Sequence, residues 1–346
     1  ASGRICSVYS GSALSVKPSC HQPACNSHGS VTSSMPGASH TRRPLRTTSP
    51  GAAAEQRTSS GPAVACAAMA ALFALISAIL FGAGDFFGGL ASRRTRVLVV
   101  IAASHVIGLC LIVVVAPFMA DTFTIRDFLL GGLAGVFGCL GIACLYHCLG
   151  RGPMAVAAPI TAVGSAVFPV LWGVLSGDHL TTLNFLGILI GLAAIVLVSS
   201  TPGHVGKVSR GLVLEAMLAG VAFGGFLITI DATDSATTPW PLVAARLVPV
   251  AIGVALVLRS GGSPVPRRSD GAVGAIIAAG IFDMTANLTF LLAVNRGQLS
   301  LTAAISALYP ATTVILARTV LHERMVRNQI VGMAIAVVAV ACMVGG

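Results

Sequence analysis

Asp283 stands in the stretch GIFDMTANLTFLLAV, residues 280–294, which holds no other charge. On a helix, Asn287 at i+4 and Gly280 at i−3 share its face, the first polar and the second leaving room. Arg246, in PLVAARLVPV at 241–250, falls at a similar depth on the preceding apolar stretch. An ionised group inside a bilayer costs roughly 2.5–3.5 kcal/mol on insertion scales, so each of these needs a partner or a water-filled cavity. Two chemistries fit an Arg and an Asp that face one cavity. The pair binds the carboxylate and the ammonium of a zwitterion, or Asp283 exchanges a proton in competition with a cationic substrate.

Three further residues could join such a site. Asp85, near the end of the first apolar run, and Glu215, about five residues into the sixth, are shallow enough to reach interfacial water or a loop arginine. His105 lies near mid-membrane at the level that Arg246 takes in the second half, where an imidazole relays protons or serves as a hydrogen-bonded core residue. His147, beside Tyr146, is a weaker candidate.

The elements that carry these residues are long and apolar. Of 346 residues, 55% are hydrophobic and 9% charged, against roughly a quarter charged in soluble domains. Ten apolar runs span 69–90, 97–118, 128–149, 154–176, 184–200, 211–230, 240–258, 271–294, 299–320 and 328–345. Each is about long enough, at ~1.5 Å per residue, to cross a hydrocarbon core of ~30 Å. Only helices satisfy their own backbone in lipid at such lengths, so the expected fold is an all-α, polytopic membrane bundle. Within it Asp283 is about 12 residues from one end of its span and 11 from the other, out of reach of both interfaces.

Residues 1–68 are different material. They are rich in Ser, Thr, Pro and Gly, with basic residues and a single acid, Glu55, and are expected to be disordered. They read as an extension outside the working protein, which then starts near Met69, or as an organellar transit peptide. Cys6, Cys20, Cys25 and Cys66 have no metal-ligand spacing, and Cys110, Cys139, Cys144, Cys148 and Cys342 fall in spans where cysteine packs as a small hydrophobe.

The body is duplicated. Residues 151–187 lie without a gap on 296–332, placing Arg151 and Gly152 on Arg296 and Gly297, Asp178 on Glu323, and Gly187 on Gly332. The expected units are 69–200 and 211–346. Five spans per repeat is an odd number, so the halves enter the membrane with opposite polarity, as in secondary carriers. Gly138 falls opposite Asp283, so the charge set is not duplicated with the scaffold. Arg93, Arg94, Arg96, Arg151, Lys207, Arg210, Arg259, Arg267, Arg268, Arg324 and Arg327 crowd the loops after odd spans, while Asp121, Asp127, Asp178, Asp231 and Asp234 lie on the opposite side with Arg126 and Arg296. The positive-inside rule puts the odd loops in the cytoplasm. The net charge of +10 is thus a sum of tail and loops with no nucleic-acid motif beside it.

Backbone breakers suit a moving bundle. Gly84 with Gly88, Gly131 with Gly135, Gly187 with Gly191, and Gly220 with Gly224 have the spacing that lets membrane helices approach closely. Pro159 and Pro169 in the fourth span and Pro310 in the ninth each remove a backbone donor and permit a kink, which makes these repeat counterparts the expected pathway-lining, bending spans.

The stretch FGAGDFFGGLASRR at 81–94, NRG before the ninth span, SALYPATTVILARTVLHER at 306–324 and the duplicated five-span body resemble the EamA-type carriers of the drug/metabolite transporter superfamily. His322 departs from that resemblance, where relatives commonly have glycine. The resemblance implies transport of small metabolites, amino acids or drugs, usually driven by an ion gradient, without enzymatic activity.

The expectation is a proton-coupled secondary transporter of amino-acid-like, sugar-like or drug-like molecules in a plasma (inner) membrane, or an organellar one if the tail is a transit peptide. Its partners are a small-molecule substrate, the lipid bilayer and a coupling proton or cation, with no cofactor and no metal. The competing class is a membrane sensor or assembly protein that keeps the carrier fold. No HExxH motif, nucleophile elbow or phosphate loop points to an enzyme, and GAGDFFGG at 82–89 lacks the strand that a nucleotide fingerprint follows.

Overall fold

A computed structural model of the chain describes residues 60–151, 154–199, 209–259, 271–322 and 325–346, so nearly all of the expected disordered extension lies outside the described residues. The helices are α1 (Ser60–Ser92), α2 (Val97–Met119), α3 (Ile125–Arg151), α4 (Met154–Leu175), α5 (Thr182–Ser199), α6 (Arg210–Asp231), α7 (Trp240–Arg259), α8 (Val273–Val294), α9 (Leu299–Ser306), α10 (Pro310–Val320) and α11 (Arg327–Gly345). There is no strand among the described residues. Counting α9 and α10 as one, nine spans among the described residues are long and apolar enough to cross a membrane, and Ile160–Leu175 of α4 adds a shorter apolar segment. Large apolar side chains such as Phe118, Leu175, Leu214 and Val337 point outward. That belt would be costly in water and suits hydrocarbon.

Two boundaries differ from the sequence expectation. The first span starts at Ser60, not at residue 69, because SGPAVACAA is Ala-rich and places Pro62 in the first helical turn, where its missing N–H has no partner to lose. The ninth span is broken. Pro310 has no N–H for the Ser306 carbonyl, and the chain tightens instead, with Leu308 N–H donating to the Ile305 carbonyl at 3.1 Å and Tyr309 N–H to the Ser306 carbonyl at 3.2 Å. Pro310 then starts α10 as its first residue. The fourth span, its repeat counterpart, runs unbroken through Pro159 and Pro169.

Long-range packing follows a two-fold scheme. Taking α9–α10 as the ninth span and α11 as the tenth, α1 packs on α8 and α3 on α6, α2 on α8 and α3 on α7, α1 on α9 and α4 on α6. Each of these pairs becomes its mate when the first five spans are exchanged with the last five. The contacts of α2 with α7, α4 with α9 and α5 with α11 map onto themselves.

Small residues set how close these helices come. A Cβ built on Gly220 would stand 2.8 Å from the Gly164 Cα, so α4 and α6 meet backbone to backbone. One on Gly131 would collide with the Pro241 carbonyl of α7, and one on Gly187 would lie 2.8 Å from the Met343 side chain of α11. Between α2, α6, α7 and α8 the core is filled by Ile112, Ile230, Leu242, Met284, Phe290 and Leu291.

Gly131 and its neighbour Gly132 offer a matched test, since a Cβ on Gly132 meets nothing within 4 Å. Gly131→Ala is expected to lower stability by about 1–3 kcal/mol through overpacking against α7. Thermal unfolding in detergent should show a lowered midpoint for Gly131→Ala and an unchanged or slightly raised one for Gly132→Ala.

Candidate functional site

The middle of α8 presents Asp283 because two neighbouring helices lack side chains, or lie beside a residue that does. Gly84 of α1 is so close that a Cβ there would stand 3.2 Å from the Asp283 backbone nitrogen. Gly280, one turn below Asp283, lets the Ser104 carbonyl of α2 come to 2.5 Å of where its Cβ would be. The Ser77 hydroxyl of α1, fully buried, donates to the Ala286 carbonyl at 3.0 Å and fixes the register of α1 on α8. Asp283 is therefore held on a helix clasped from two sides.

Its carboxylate meets Arg246 of α7, with Nη2 to Oδ2 at 2.6 Å. The two partners are unequally covered: 9% of the Arg246 side chain is accessible and 37% of the Asp283 side chain. A carboxylate near the middle of a span thus keeps more than a third of its side-chain surface accessible while its partner is covered. Asn287, itself buried, donates through Nδ2 to the Asp283 carbonyl at 2.7 Å and at 3.4 Å to Oδ1. The guanidinium thus engages one carboxylate oxygen at close range, and the second oxygen has only the longer amide contact.

Around this pair the structure gathers two more of the expected residues. His105 of α2 holds its Nδ1 at 2.9 Å from the Ile101 carbonyl. A carbonyl only accepts, so the proton sits on Nδ1 and Nε2 is the acceptor nitrogen. The ring lies within electrostatic reach of both Arg246 and Asp283. Asp85 of α1 is solvent-accessible and lies within electrostatic reach of Asp283. Glu215 belongs elsewhere: it is half-buried in the second turn of α6, beside Ala216, whose carbonyl accepts from Thr161 of α4 at 3.1 Å.

Of the three prolines, Pro310 begins α10, the second half of the broken span, while Pro169 is buried against Gly224 of α6. Pro159 lies within α4, and its side chain, like that of His147 in α3, is outside the described residues.

Tyr309 was not among the expected residues. It occupies the break between α9 and α10, half-buried, with its ring edge-on to Phe81 at 6.5 Å between centroids and its phenol in the field of Asp85. Gly82 is the seat of this break, since a Cβ there would collide with the Tyr309 carbonyl, and the Thr313 hydroxyl donates to the Gly82 carbonyl at 3.0 Å. The signal was present in SALYP, an amphipathic ring immediately before the proline that stops the helix.

Residues 211–345 match the family model described as the EamA-like transporter family. One solved chain, described as "Crystal structure of protein", superposes with a TM-score of 0.65 at 20% identity, over 79% of this chain and 97% of its own, a likeness of fold. No curated protein matches the chain.

Removing one member of the pair should cost more than removing both. Asp283→Asn leaves the Arg246 charge covered and without its carboxylate, a change expected to lower stability by about 3 kcal/mol, the low end for broken buried pairs because Asp283 is partly accessible. Arg246→Met combined with Asp283→Asn should recover most of that loss, as a double-mutant cycle followed by thermal unfolding will show.

Proposed function

We propose, from the match of residues 211–345 to the EamA-like transporter family, that this integral multi-pass membrane protein is a proton-coupled secondary carrier of small carboxylate-bearing metabolites. The observation that carries the reading is the unequal cover of the Arg246–Asp283 pair, a buried guanidinium whose carboxylate stays partly accessible at mid-span.

As the two groups stand, each is occupied by the other. A zwitterion cannot use both without splitting a bond of 2.6 Å. A proton arriving on Asp283 removes its charge and leaves Arg246 with an unmet guanidinium in a covered site, ready to take a substrate carboxylate in the two-pronged geometry that arginine favours. When the substrate leaves, the proton must leave with it, or Arg246 is stranded without an anion. Proton and carboxylate therefore bind with positive coupling, and by linkage each favours the other equally. His105, with its free Nε2, is placed to hand a proton toward the pair.

Alternating access follows from the frame. The two-fold packing scheme and the duplicated sequence support two inverted five-span halves that rock about a site between α1, α2, α7 and α8. The Gly-lined contacts of α1 with α8 and of α4 with α6 present smooth backbone surfaces for such sliding.

Counterflow of labelled amino acids, other carboxylates, sugars and amines into proteoliposomes tests this reading. Arg246→Ala is expected to end flux of every carboxylate substrate. Asp283→Asn, which keeps the shape and loses the exchangeable proton, should end accumulation driven by a proton gradient. Flux that persists unchanged in both variants, or no flux of any compound through the parent protein, overturns the proposal; the second outcome favours a membrane sensor.

A further inference from the structure

One seam between the two halves is closed by a buried carboxylate. At the end that holds the α2–α3 and α6–α7 connections, Asp127 in the first turn of α3 is 1% exposed and collects donors from both halves. Its Oδ2 accepts from the Thr237 hydroxyl at 2.9 Å and from the Asp234 N–H at 3.1 Å, and its Oδ1 takes Arg126 Nη1 at 2.9 Å. Beside it the N–H groups of Asp121 and Thr122 both donate to the Ala236 carbonyl at 3.0 Å. At the same end Asp178, in the α4–α5 connection, accepts from the Ser300 N–H at the start of α9 at 2.9 Å. Both carboxylates sit on the first half and grip backbone of the second.

The opposite end has the repeat counterpart of the Asp127 contact, between the α1–α2 and α7–α8 connections. There Arg94 Nη1 donates to the Gly271 carbonyl at 2.8 Å, on an exposed surface. Two donors cross the seam to a carboxylate that is 1% exposed, the Thr237 hydroxyl and the Asp234 N–H, and breaking such charge-assisted bonds costs more than giving up the exposed Arg94–Gly271 bond, which water replaces.

We propose that Asp127 is the latch of the gate at its own end, holding the first half shut against the second in the state described here and releasing when the site opens to that side. The inference rests on the alternating-access reading and adds to it which contacts must break. Asp127 accepts in the closed state through fixed donors, Thr237 and the Asp234 backbone, that belong to a short 3-10 turn, Ser235–Thr237, and the residue before it. Opening swings that turn away from α3, and the Arg126 contact, which is within the first half, remains to hold the freed carboxylate.

Spin labels on Thr122→Cys and Ser235→Cys, both exposed positions facing each other across this seam, read the gate directly in the full chain reconstituted in lipid with its native cysteines replaced. The parent is expected to give one short, narrow distance. Asp127→Ala should add a longer distance, with its population raised on the order of tenfold, the expected consequence of losing charge-assisted hydrogen bonds from one state only. Thr237→Val, which removes one donor at nearly constant volume, should give a smaller increase and serves as the test if Asp127→Ala does not fold. Folded variants that keep the parent's distance distribution overturn the latch. Counterflow through the same parent vesicles tests the carrier reading separately, so failure of one is not mistaken for failure of the other.

Discussion

One ion pair organises the interior of this protein. Arg246 and Asp283 meet at 2.6 Å near the middle of two membrane spans, where neither charge would survive alone. Everything close to them serves that meeting. Gly84 and Gly280 bring α1 and α2 against α8, Ser77 pins the register, and Asn287 reaches the carboxylate from one turn above. The pair in turn leaves part of Asp283 uncovered, at a depth where hydrocarbon would be a costly neighbour for a carboxylate.

The arrangement is asymmetric in charge and two-fold in packing. The helix pairings exchange cleanly between the halves, yet the position opposite Asp283 is Gly138. The packing repeats while the charged pair occurs in one half of the exchange. The same contrast shows at the bundle ends, where the contact at Asp127 and its counterpart at Arg94 occupy equivalent seams with unequal chemistry.

Much of this was legible in the sequence, and the limits have physical reasons. Asp283, Asn287 and Arg246 could be placed together because helical rise and a bilayer's fixed thickness convert residue number into depth. The same ruler put His105 at the level of Arg246 and both Asp85 and Glu215 at shallow depth; it says nothing of which helix face a residue takes, so it could not tell that Asp85 lies in the field of Asp283 while Glu215 lies beside Ala216 on α6. Tyr309 was hidden because its place depends on a break whose form, a tightened turn seated on Gly82, is decided by tertiary contact. The proline signal shows as a break at Pro310, whereas Pro169, buried against α6, lies within one continuous helix. Asp127 was read only as a loop charge, because nothing local announces that three donors from two connections will converge on it.

The broken ninth span divides into unlike halves. Nearly all of α9 is buried, from Leu299 to Ser306, whereas no residue of α10 between Pro310 and Val320 is. The two segments therefore share one crossing of the bilayer but not one environment: α9 is enclosed by other helices, whereas α10 leaves part of every residue to whatever surrounds the bundle.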